Sequence, residues 1–255
     1  MEYVTIFGRP FPIYGLCVLA GILLAAATIL VRGRKEERDL DFLTFLCACV
    51  GLYVGAKLLY LITIAPRLIV RPELLRDPEF VESIVSGGFV FYGGLIGAVA
   101  GIAIYCRAMK RRFLAVLDTL IPCAAIGQAA GRVGCHLVGC CYGVPYSGPL
   151  AVTYPVGEHA FGGVPLFPVQ LAESALLVVI YIVLMLLGRR REGFASGLYL
   201  VCSAVTRFLL EFARGDAERG IFLGLATSQW IALLILLPLG IFLIARSARR
   251  KGKEI

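Results

Sequence analysis

Long apolar runs constrain this chain more than any other feature of its sequence. Several runs of about 18 to 25 residues carry almost no charge, which is the length a helix needs to cross the hydrocarbon core of a bilayer. The composition agrees, because 59% of the 255 residues are hydrophobic and only 16% are charged. These values exclude an ordinary soluble domain and predict an all-α, polytopic membrane protein.

The hydropathy pattern predicts seven transmembrane helices. The first is not predicted to be a cleavable signal peptide, because it follows acidic Glu2, lacks a basic flank and precedes further spans. Residues 1–255 are predicted to form a single integral membrane domain, with an interfacial segment at 66–84 and an extracytoplasmic loop region at 133–167. The predicted spans are 12–31, 42–64, 86–106, 114–132, 168–188, 195–212 and 222–245.

Basic residues predict the orientation of these helices. The links after spans one, three and five and the C-terminal tail hold four, four, three and five of the 25 Lys and Arg residues. All four regions fall on one face, which the positive-inside rule makes cytoplasmic. The N-terminus and the loop after span four are therefore predicted outside, and the C-terminus inside. The same clusters account for the net charge of +8, so no nucleic-acid partner is predicted.

Polar residues within the predicted spans indicate a functional cavity. An ionised side chain is costly in hydrocarbon unless it faces the bundle interior, a water-filled cavity or a partner. Arg207 and Glu211 have helical i,i+4 spacing, so a structural ion pair remains an alternative for Glu211. Arg132 and Lys57 have no acid at a helical neighbour and are assigned to function. The full set is Lys57, Asp118, Gln128, Arg132, Gln170, Glu173, Arg207 and Glu211.

Residues 128–143 join the end of an apolar helix to a glycine-punctuated loop. A guanidinium at this position, that of Arg132, is suited to bidentate binding of a phosphate. Arg207 and Lys57 would complete a site for the anionic headgroup of a phospholipid whose acyl chains stay in the bilayer.

Three of the nine cysteines, Cys135, Cys140 and Cys141, belong to this stretch and are called the loop cysteines below. Their spacing, even with His136, matches no usual zinc pattern, so no metal is predicted. A disulfide from Cys135 to one of the other two, and a redox or nucleophilic thiol at Cys140 or Cys141, remain alternatives. The other six cysteines lie in apolar helical context and are predicted to be small buried hydrophobes.

Span three carries a glycine repeat. Gly93, Gly97 and Gly101 recur at four-residue spacing, which predicts close approach of a neighbouring helix. Tyr92 directly precedes the paired glycines and is predicted to face a cavity.

A series of short motifs then gives the chain a family resemblance. The motifs are Pro12-Ile13-Tyr14-Gly15, Gly55-Ala56-Lys57-Leu58-Leu59-Tyr60, Tyr92-Gly93-Gly94-Leu95-Ile96-Gly97, Asp118-x-x-x-Pro122, Gly131-Arg132-Val133-Gly134, Pro168-Val169-Gln170-Leu171-Ala172-Glu173, Arg207-Phe208-Leu209-Leu210-Glu211-Phe212-x-Arg214 and Ser228-Gln229. With this order and spacing in a seven-span, N-out topology, the chain resembles the prolipoprotein diacylglyceryl transferase family.

The resemblance implies an activity and a location. The family moves the diacylglyceryl group of phosphatidylglycerol onto the lipobox cysteine of a preprolipoprotein, forming a thioether and releasing glycerol 1-phosphate. The expected partners are therefore phosphatidylglycerol, the preprolipoprotein signal peptide and the lipid bilayer. The expected location is the bacterial cytoplasmic (inner) membrane, with the active site toward the outer face, and no metal or soluble cofactor is expected.

The resemblance also assigns site residues. The predicted catalytic residues are Arg132, Arg207 and Tyr92. The predicted substrate-binding residues are Lys57, Tyr60, Gly93, Gly94, Gln128, Gly134, Cys135, Gly143, Glu173 and Glu211.

Some positions depart from the family pattern. Tyr92 stands where the family usually has His, Cys135 where it has Asn, and Cys140 where it has Glu. His136 and His159 are the only imidazoles in the chain. Two further interpretations therefore remain open: a divergent phospholipid-dependent transferase with another acceptor, in which Cys140 or Cys141 is a covalent way-station, and a non-catalytic lipid-binding, transport or redox membrane protein.

Overall fold

The computed structural model describes residues 3–6, 8–33, 35–157, 161–187, 191–215 and 220–249. The helices are α1 (Ile13–Arg32), α2 (Arg38–Val70), α3 (Pro78–Ser86), α4 (Phe91–Ala108), α5 (Phe113–Leu137), α6 (Val169–Leu187), α7 (Phe194–Leu210), α8 (Thr227–Ile231) and α9 (Leu237–Arg249). Three two-stranded antiparallel ribbons accompany them: β1 (Tyr3–Ile6) with β2 (Arg9–Pro12), β3 (Val152–Thr153) with β4 (Pro165–Leu166), and β5 (Ile221–Phe222) with β6 (Leu225–Ala226).

Six helical segments in the described part of the chain are long and apolar enough to cross a membrane. They are Ile13–Arg32, Arg38–Val70, Phe113–Leu137, Val169–Leu187, Phe194–Ala213 and Thr227–Arg249. The apolar part of α4, Tyr92–Ala108, is shorter. Large apolar side chains cover the outer faces of these helices, as at Leu186 and Ile104, which are 76% and 71% exposed. The predicted class, a polytopic helical membrane protein, is thereby confirmed.

The chain divides into two compact units. The first unit combines Met1–Gly33 with Leu117–Ile255, and the second is Arg34–Val116.

In the first unit, α1 packs closely on α5 through a glycine. A Cβ atom at Gly134 would lie 3.0 Å from the Cβ of Cys17 and 3.1 Å from the Tyr14 ring. The sequence predicted that this helix ends at residue 132, yet α5 continues to Leu137 and carries Cys135 and His136. Gly134, which suggests a helix end in the sequence, serves helix packing instead, because tertiary contact outweighs low helix propensity.

Asp118 and Arg32 fasten one end of this unit. The carboxylate of Asp118 accepts hydrogen bonds from the backbone N–H of Gly193 and Ser196, at 2.5 and 2.8 Å, and so caps the start of α7. Arg32 donates to the backbone carbonyls of Leu184 and Asp118, at 3.0 and 3.2 Å. Both side chains are buried, which makes Asp118 and Arg32 structural residues of the first unit.

In the second unit, α2 and α4 pack backbone against backbone, because glycines line their contact. A Cβ atom at Gly97 would overlap the carbonyl oxygen of Gly51, and one at Gly93 would overlap that of Gly55. Gly101 stands in the same relation to the carbonyl oxygen of Cys47. The close approach predicted from the glycine repeat is confirmed.

The predicted interfacial segment 66–84 is helical for most of its length. Its first residues continue α2 to Val70, because Pro66 is tolerated inside the helix. A 3-10 turn (Pro72–Arg76) and α3 follow, and the Asp77 side chain caps α3 by accepting from the backbone N–H of Glu79 at 3.0 Å.

Candidate active site

A chain of alternating charges, formed by Arg132, Glu173, Arg207 and Glu211, crosses the first unit and is called the charge chain below. Arg132 Nε on α5 lies 3.0 Å from Oε2 of Glu173 on α6. The other oxygen of Glu173 lies 3.5 Å from Nη1 of Arg207 on α7. Arg207 Nη2 lies 3.7 Å from Oε2 of Glu211, which confirms the i,i+4 pair. The structure thus brings together four residues that the sequence predicted to be functional.

The acids of the charge chain are more buried than its arginines. The side chains of Glu211 and Glu173 are 4% and 12% exposed, whereas those of Arg132 and Arg207 are 23% and 29% exposed. Glu173 contacts Arg132 through Nε, at the inner edge of the guanidinium, so the outer edge can take a further anion. Fixed arginines with accessible edges are suited to binding a phosphate.

Backbone contacts hold the segment after α5 beside the end of α7. Val144 N donates to Ala213 O and Phe167 N to Val144 O, both at 3.0 Å. Gly143 is buried between the segments that carry Phe167 and Ala213. A Cβ atom there would overlap the carbonyl oxygen of Phe167 and lie 3.0 Å from that of Ala213. Gly143, predicted to bind substrate, therefore has a clear packing role.

A hydrogen-bond network lies behind this segment. The buried amide of Gln170 donates from Nε2 to the carbonyl of Cys140 at 2.9 Å and to the Tyr154 hydroxyl at 3.3 Å. The Tyr154 hydroxyl also donates to the His136 carbonyl and contacts His136 Nδ1, both at 3.1 Å. Burial raises the pKa of Tyr154, so its hydroxyl stays protonated as a donor. The sequence singled out His136 and Gln170 and assigned Tyr154 only to the loop after span four, without a partner; His159 lies outside the described residues.

The three loop cysteines converge. Their sulfur atoms all lie within 4.8 Å of one another, although Cys135 is on α5 and the other two follow the helix. Cys135 is buried and Cys140 is exposed, and Cys141 has a left-handed backbone with φ of 57°. All three are unbonded thiols in the structure.

Their electrostatic environments differ. Hydrogen bonding with Cys135 and Cys141 raises the pKa of the Cys140 thiol. Hydrogen bonding from Cys135 and Cys140, aided by the positive charges of Arg214 and Arg132, lowers the pKa of the Cys141 thiol. The group therefore stabilises a sulfur anion beside the charge chain. The sequence did not indicate that Arg214 would approach the loop cysteines.

Lys57 and Tyr60 of the second unit contact the segment at residues 84–88 that precedes α4. The Lys57 ammonium donates to the backbone carbonyls of Ile84, Val85 and Gly87, at 2.6, 3.1 and 2.6 Å. Its three donors are thus directed at the chain's own backbone, although the sequence predicted a ligand contact. The Tyr60 ring fills the space that a side chain at residue 88 would need.

Tyr92, Gly93 and Gly94 form the first turn of α4. Gly93 packs against Gly55, and a Cβ atom at Gly94 would lie 3.2 Å from the Leu52 carbonyl oxygen, so both glycines contact α2. Tyr92 is 44% exposed. These residues belong to the second unit, whereas the charge chain belongs to the first.

Gln128, another predicted substrate-binding residue, lies in the first unit and hydrogen-bonds the Tyr199 hydroxyl.

These features define a polytopic helical membrane protein in which buried acids hold two accessible arginines. Residues 3–246 match the family model described as prolipoprotein diacylglyceryl transferase. The chain belongs to that family, as its motifs predicted.

Similar proteins cover nearly the whole chain. A Clostridium tetani protein named phosphatidylglycerol–prolipoprotein diacylglyceryl transferase is 34% identical over 252 residues, 96% of this chain and 97% of its own length. A Clostridium perfringens protein with that name and the numeral 2 is 32% identical over 254 residues, 98% and 95% of the two chains. A Methylococcus capsulatus protein of the same name is 35% identical over 252 residues, 94% and 92% of the two chains.

Proposed function

We propose that this chain transfers the diacylglyceryl group from phosphatidylglycerol to the thiol of a lipobox cysteine in a preprolipoprotein and releases glycerol 1-phosphate. The observation that carries the proposal is the pair of contacts made by Glu173, which meets Arg132 with one carboxylate oxygen and Arg207 with the other. Family membership and the names of the relatives give the same reaction.

The chemistry needs an anion site of this kind. As the acceptor sulfur bonds to the glyceryl carbon, the carbon–oxygen bond to phosphate breaks and negative charge grows on the leaving oxygen. Arg132 and Arg207 stabilise that charge, and because Glu173 and Glu211 already hold them in place, little reorganisation accompanies the reaction. Binding the lipid by its phosphate also orients the carbon that is attacked.

We assign the remaining predicted residues separate roles in the same reaction. Tyr92 acts on the acceptor, as a hydrogen-bond donor or as the base that removes its proton. Lys57, Tyr60, Gly93 and Gly94 act by positioning the segment that carries Tyr92. Gln128, Gly134 and Gly143 act in the same way on the elements that carry Arg132, since each of them packs against or bonds to the protein.

We further propose that α4 also crosses the membrane, as the third of seven spans in a single integral membrane domain. Its 18 residues rise about 27 Å at 1.5 Å per residue, close to the thickness of the hydrocarbon core. The basic links place the N-terminus outside and the C-terminus in the cytoplasm, with segment 66–84 in the interface. The site then opens toward the outer face of the bacterial cytoplasmic membrane, where region 133–167 meets the secreted acceptor, and nucleic acid has no part in the reaction.

A reconstituted assay tests the reaction. Purified protein in detergent receives phosphatidylglycerol and a lipobox peptide with one cysteine, and both glycerol phosphate release and peptide mass are measured. We expect a diacylglyceryl mass gain, which disappears when the peptide cysteine is replaced by serine.

Matched variants connect the activity to the site. Arg132→Ala should abolish the mass gain, whereas Arg249→Ala, an exposed arginine at the end of α9, should retain it. Phospholipid binding by the wild-type protein without any mass gain, in reducing and oxidising buffer alike, would contradict the proposal and favour a carrier.

A further inference from the structure

The loop cysteines form a site that the reaction described so far leaves without a role. Three sulfur atoms lie within 4.8 Å of one another, in a cluster that one helix end and the following turn build together. Sulfur ligands of a tetrahedral zinc ion, each about 2.3 Å from the metal, lie about 3.8 Å apart. The cluster therefore reaches ligand spacing with small side-chain adjustments. A disulfide would use only two of the sulfurs, so the convergence of all three favours a cation.

The backbone fixes the three ligands. Cys140 N donates to the Cys135 carbonyl at 3.0 Å, which ties the turn to the last turn of α5. Buried Gln170 holds the Cys140 carbonyl at 2.9 Å. Gly215 N donates to the carbonyl of Tyr142 at 3.0 Å, which fastens the residue after Cys141. Ligands on elements held in this way suit a preformed metal site.

The charge and the coordination number agree with this assignment. Three thiolates around a divalent cation carry one net negative charge, and Arg132 and Arg214 lie near enough to Cys141 to offset it. Within the described residues no further His, Cys, Asp or Glu joins the group. A zinc ion with three protein ligands keeps its fourth position for water or substrate, and exposed Cys140 marks the accessible side.

We propose that Cys135, Cys140 and Cys141 bind one thiophilic divalent cation of the zinc class and leave its fourth position for the acceptor thiol. The cation site stands on the sulfur geometry, the backbone contacts and the neighbouring charges, whereas its use by the acceptor rests on the proposed function.

The site would supply the nucleophile of the transfer. A thiol that coordinates a divalent cation is deprotonated, so the acceptor S–H gives its proton to solvent as the sulfur–metal bond forms. Of the two roles proposed for Tyr92, this step leaves it that of hydrogen-bond donor. The sulfur then uses an electron pair to bond the glyceryl carbon. The carbon–oxygen bond breaks, and its electron pair remains on the phosphate oxygen of glycerol 1-phosphate. The thioether product is a weaker ligand than a thiolate, and water replaces it.

Metal analysis tests the cation site without using activity. Full-length protein, purified under reducing conditions and incubated with zinc, should hold about one equivalent per chain after desalting. Cys135→Ser, Cys140→Ser and Cys141→Ser should each lower that value strongly. Cys202→Ser, which alters a half-buried thiol on α7, should not. Wild-type protein that is reduced and folded, yet retains no zinc, would overturn the cation site.

Cobalt substitution tests the fourth position on wild-type protein, so it does not depend on the folding of a variant. The thiolate-to-cobalt absorption should increase when a lipobox peptide with cysteine is added and stay constant with the serine peptide. An equal response to both peptides would overturn the acceptor position.

The two proposals fail in different ways. A cysteine-specific cobalt response without transfer of diacylglyceryl would contradict the proposed function and support the cation site. Full transfer activity in metal-free protein, verified by elemental analysis, would support the proposed function and overturn the role of the cation in it.

Discussion

Arg132 and Glu173 form an ion pair, with Nε and Oε2 3.0 Å apart, that connects α5 to α6. The other oxygen of the same carboxylate lies 3.5 Å from Arg207. One acid thus sets the positions of both arginines, although it does not itself have to touch the substrate. Glu173 is therefore a positioning residue, and its effect should pass through Arg132 and Arg207.

Replacing Glu173 by glutamine tests this relationship. The amide keeps the shape of the side chain but loses the charge and one acceptor, and losing a hydrogen bond to a charged group costs about 2 kcal/mol. We expect kcat to fall roughly 30-fold with a smaller change in KM for phosphatidylglycerol. Glu73→Gln, an exposed acid in the 3-10 turn, serves as the control. An unchanged kcat would contradict the positioning role.

Lysine replacements separate the two arginines. Arg207 contacts two acids, Glu173 and Glu211, through its terminal nitrogens, whereas Arg132 meets Glu173 through Nε. Arg132 therefore has more capacity to bind a phosphate in a bidentate manner, which lysine cannot do. We expect Arg132→Lys to lower kcat about 100-fold or more, and Arg207→Lys to lower it less. Steady-state kinetics on both variants measure the two kcat values. A larger loss of kcat in Arg207→Lys than in Arg132→Lys would refute the assignment of bidentate phosphate binding to Arg132.

Asp118→Asn should reduce stability and spare the chemistry. The Asp118 carboxylate caps α7 through Gly193 and Ser196, and the Ser196 hydroxyl also donates to it at 2.6 Å. An amide replaces one acceptor by a donor, so we expect a loss of about 1 to 2 kcal/mol. Thermal unfolding in detergent should show a lower midpoint, with normal activity per folded molecule. Asp39→Asn, at an exposed position in the first turn of α2, should change the midpoint less.

Two glycine-to-alanine variants should have opposite effects. At Gly97 the added methyl would overlap the Gly51 backbone, which cannot move without separating α2 from α4. At Gly127, inside α5, nothing lies within 4 Å of the added atom. We expect Gly97→Ala to destabilise the protein strongly, and Gly127→Ala to stabilise it by about 0.5 to 1 kcal/mol. A melting midpoint that does not fall for Gly97→Ala would argue against the α2–α4 contact, and one that does not rise for Gly127→Ala would argue against open space at that position.

Sequence reasoning succeeded where a feature is local. The Gly93, Gly97 and Gly101 repeat and the Arg207–Glu211 pair each follow from helical periodicity within one element, and both are present. The end of α5 was predicted five residues early, because Gly134 resembles a helix breaker until its contact with α1 is known.

Contacts between separate elements could not be predicted from the sequence. The Glu173 contacts join three helices, and no spacing rule relates them. Lys57 resembles a ligand-binding cation, but its donors meet carbonyls of a segment whose position only the fold specifies. The convergence of the loop cysteines was likewise not predictable from their spacing, since it depends on how the turn after α5 folds back.

Arg32 combines two roles that are usually carried by different residues. Its charge belongs to the first basic cluster, from which we predict the direction of insertion, yet its side chain is buried on the carbonyls of Leu184 and Asp118. During synthesis α1 emerges long before α5 and α6, so this guanidinium reaches the carbonyls of Leu184 and Asp118 only after those helices have been made. One residue therefore contributes its charge to the nascent chain first and fastens the finished bundle later. Lysine would preserve the first action and lose the second, because it cannot reach two carbonyls with a rigid planar group.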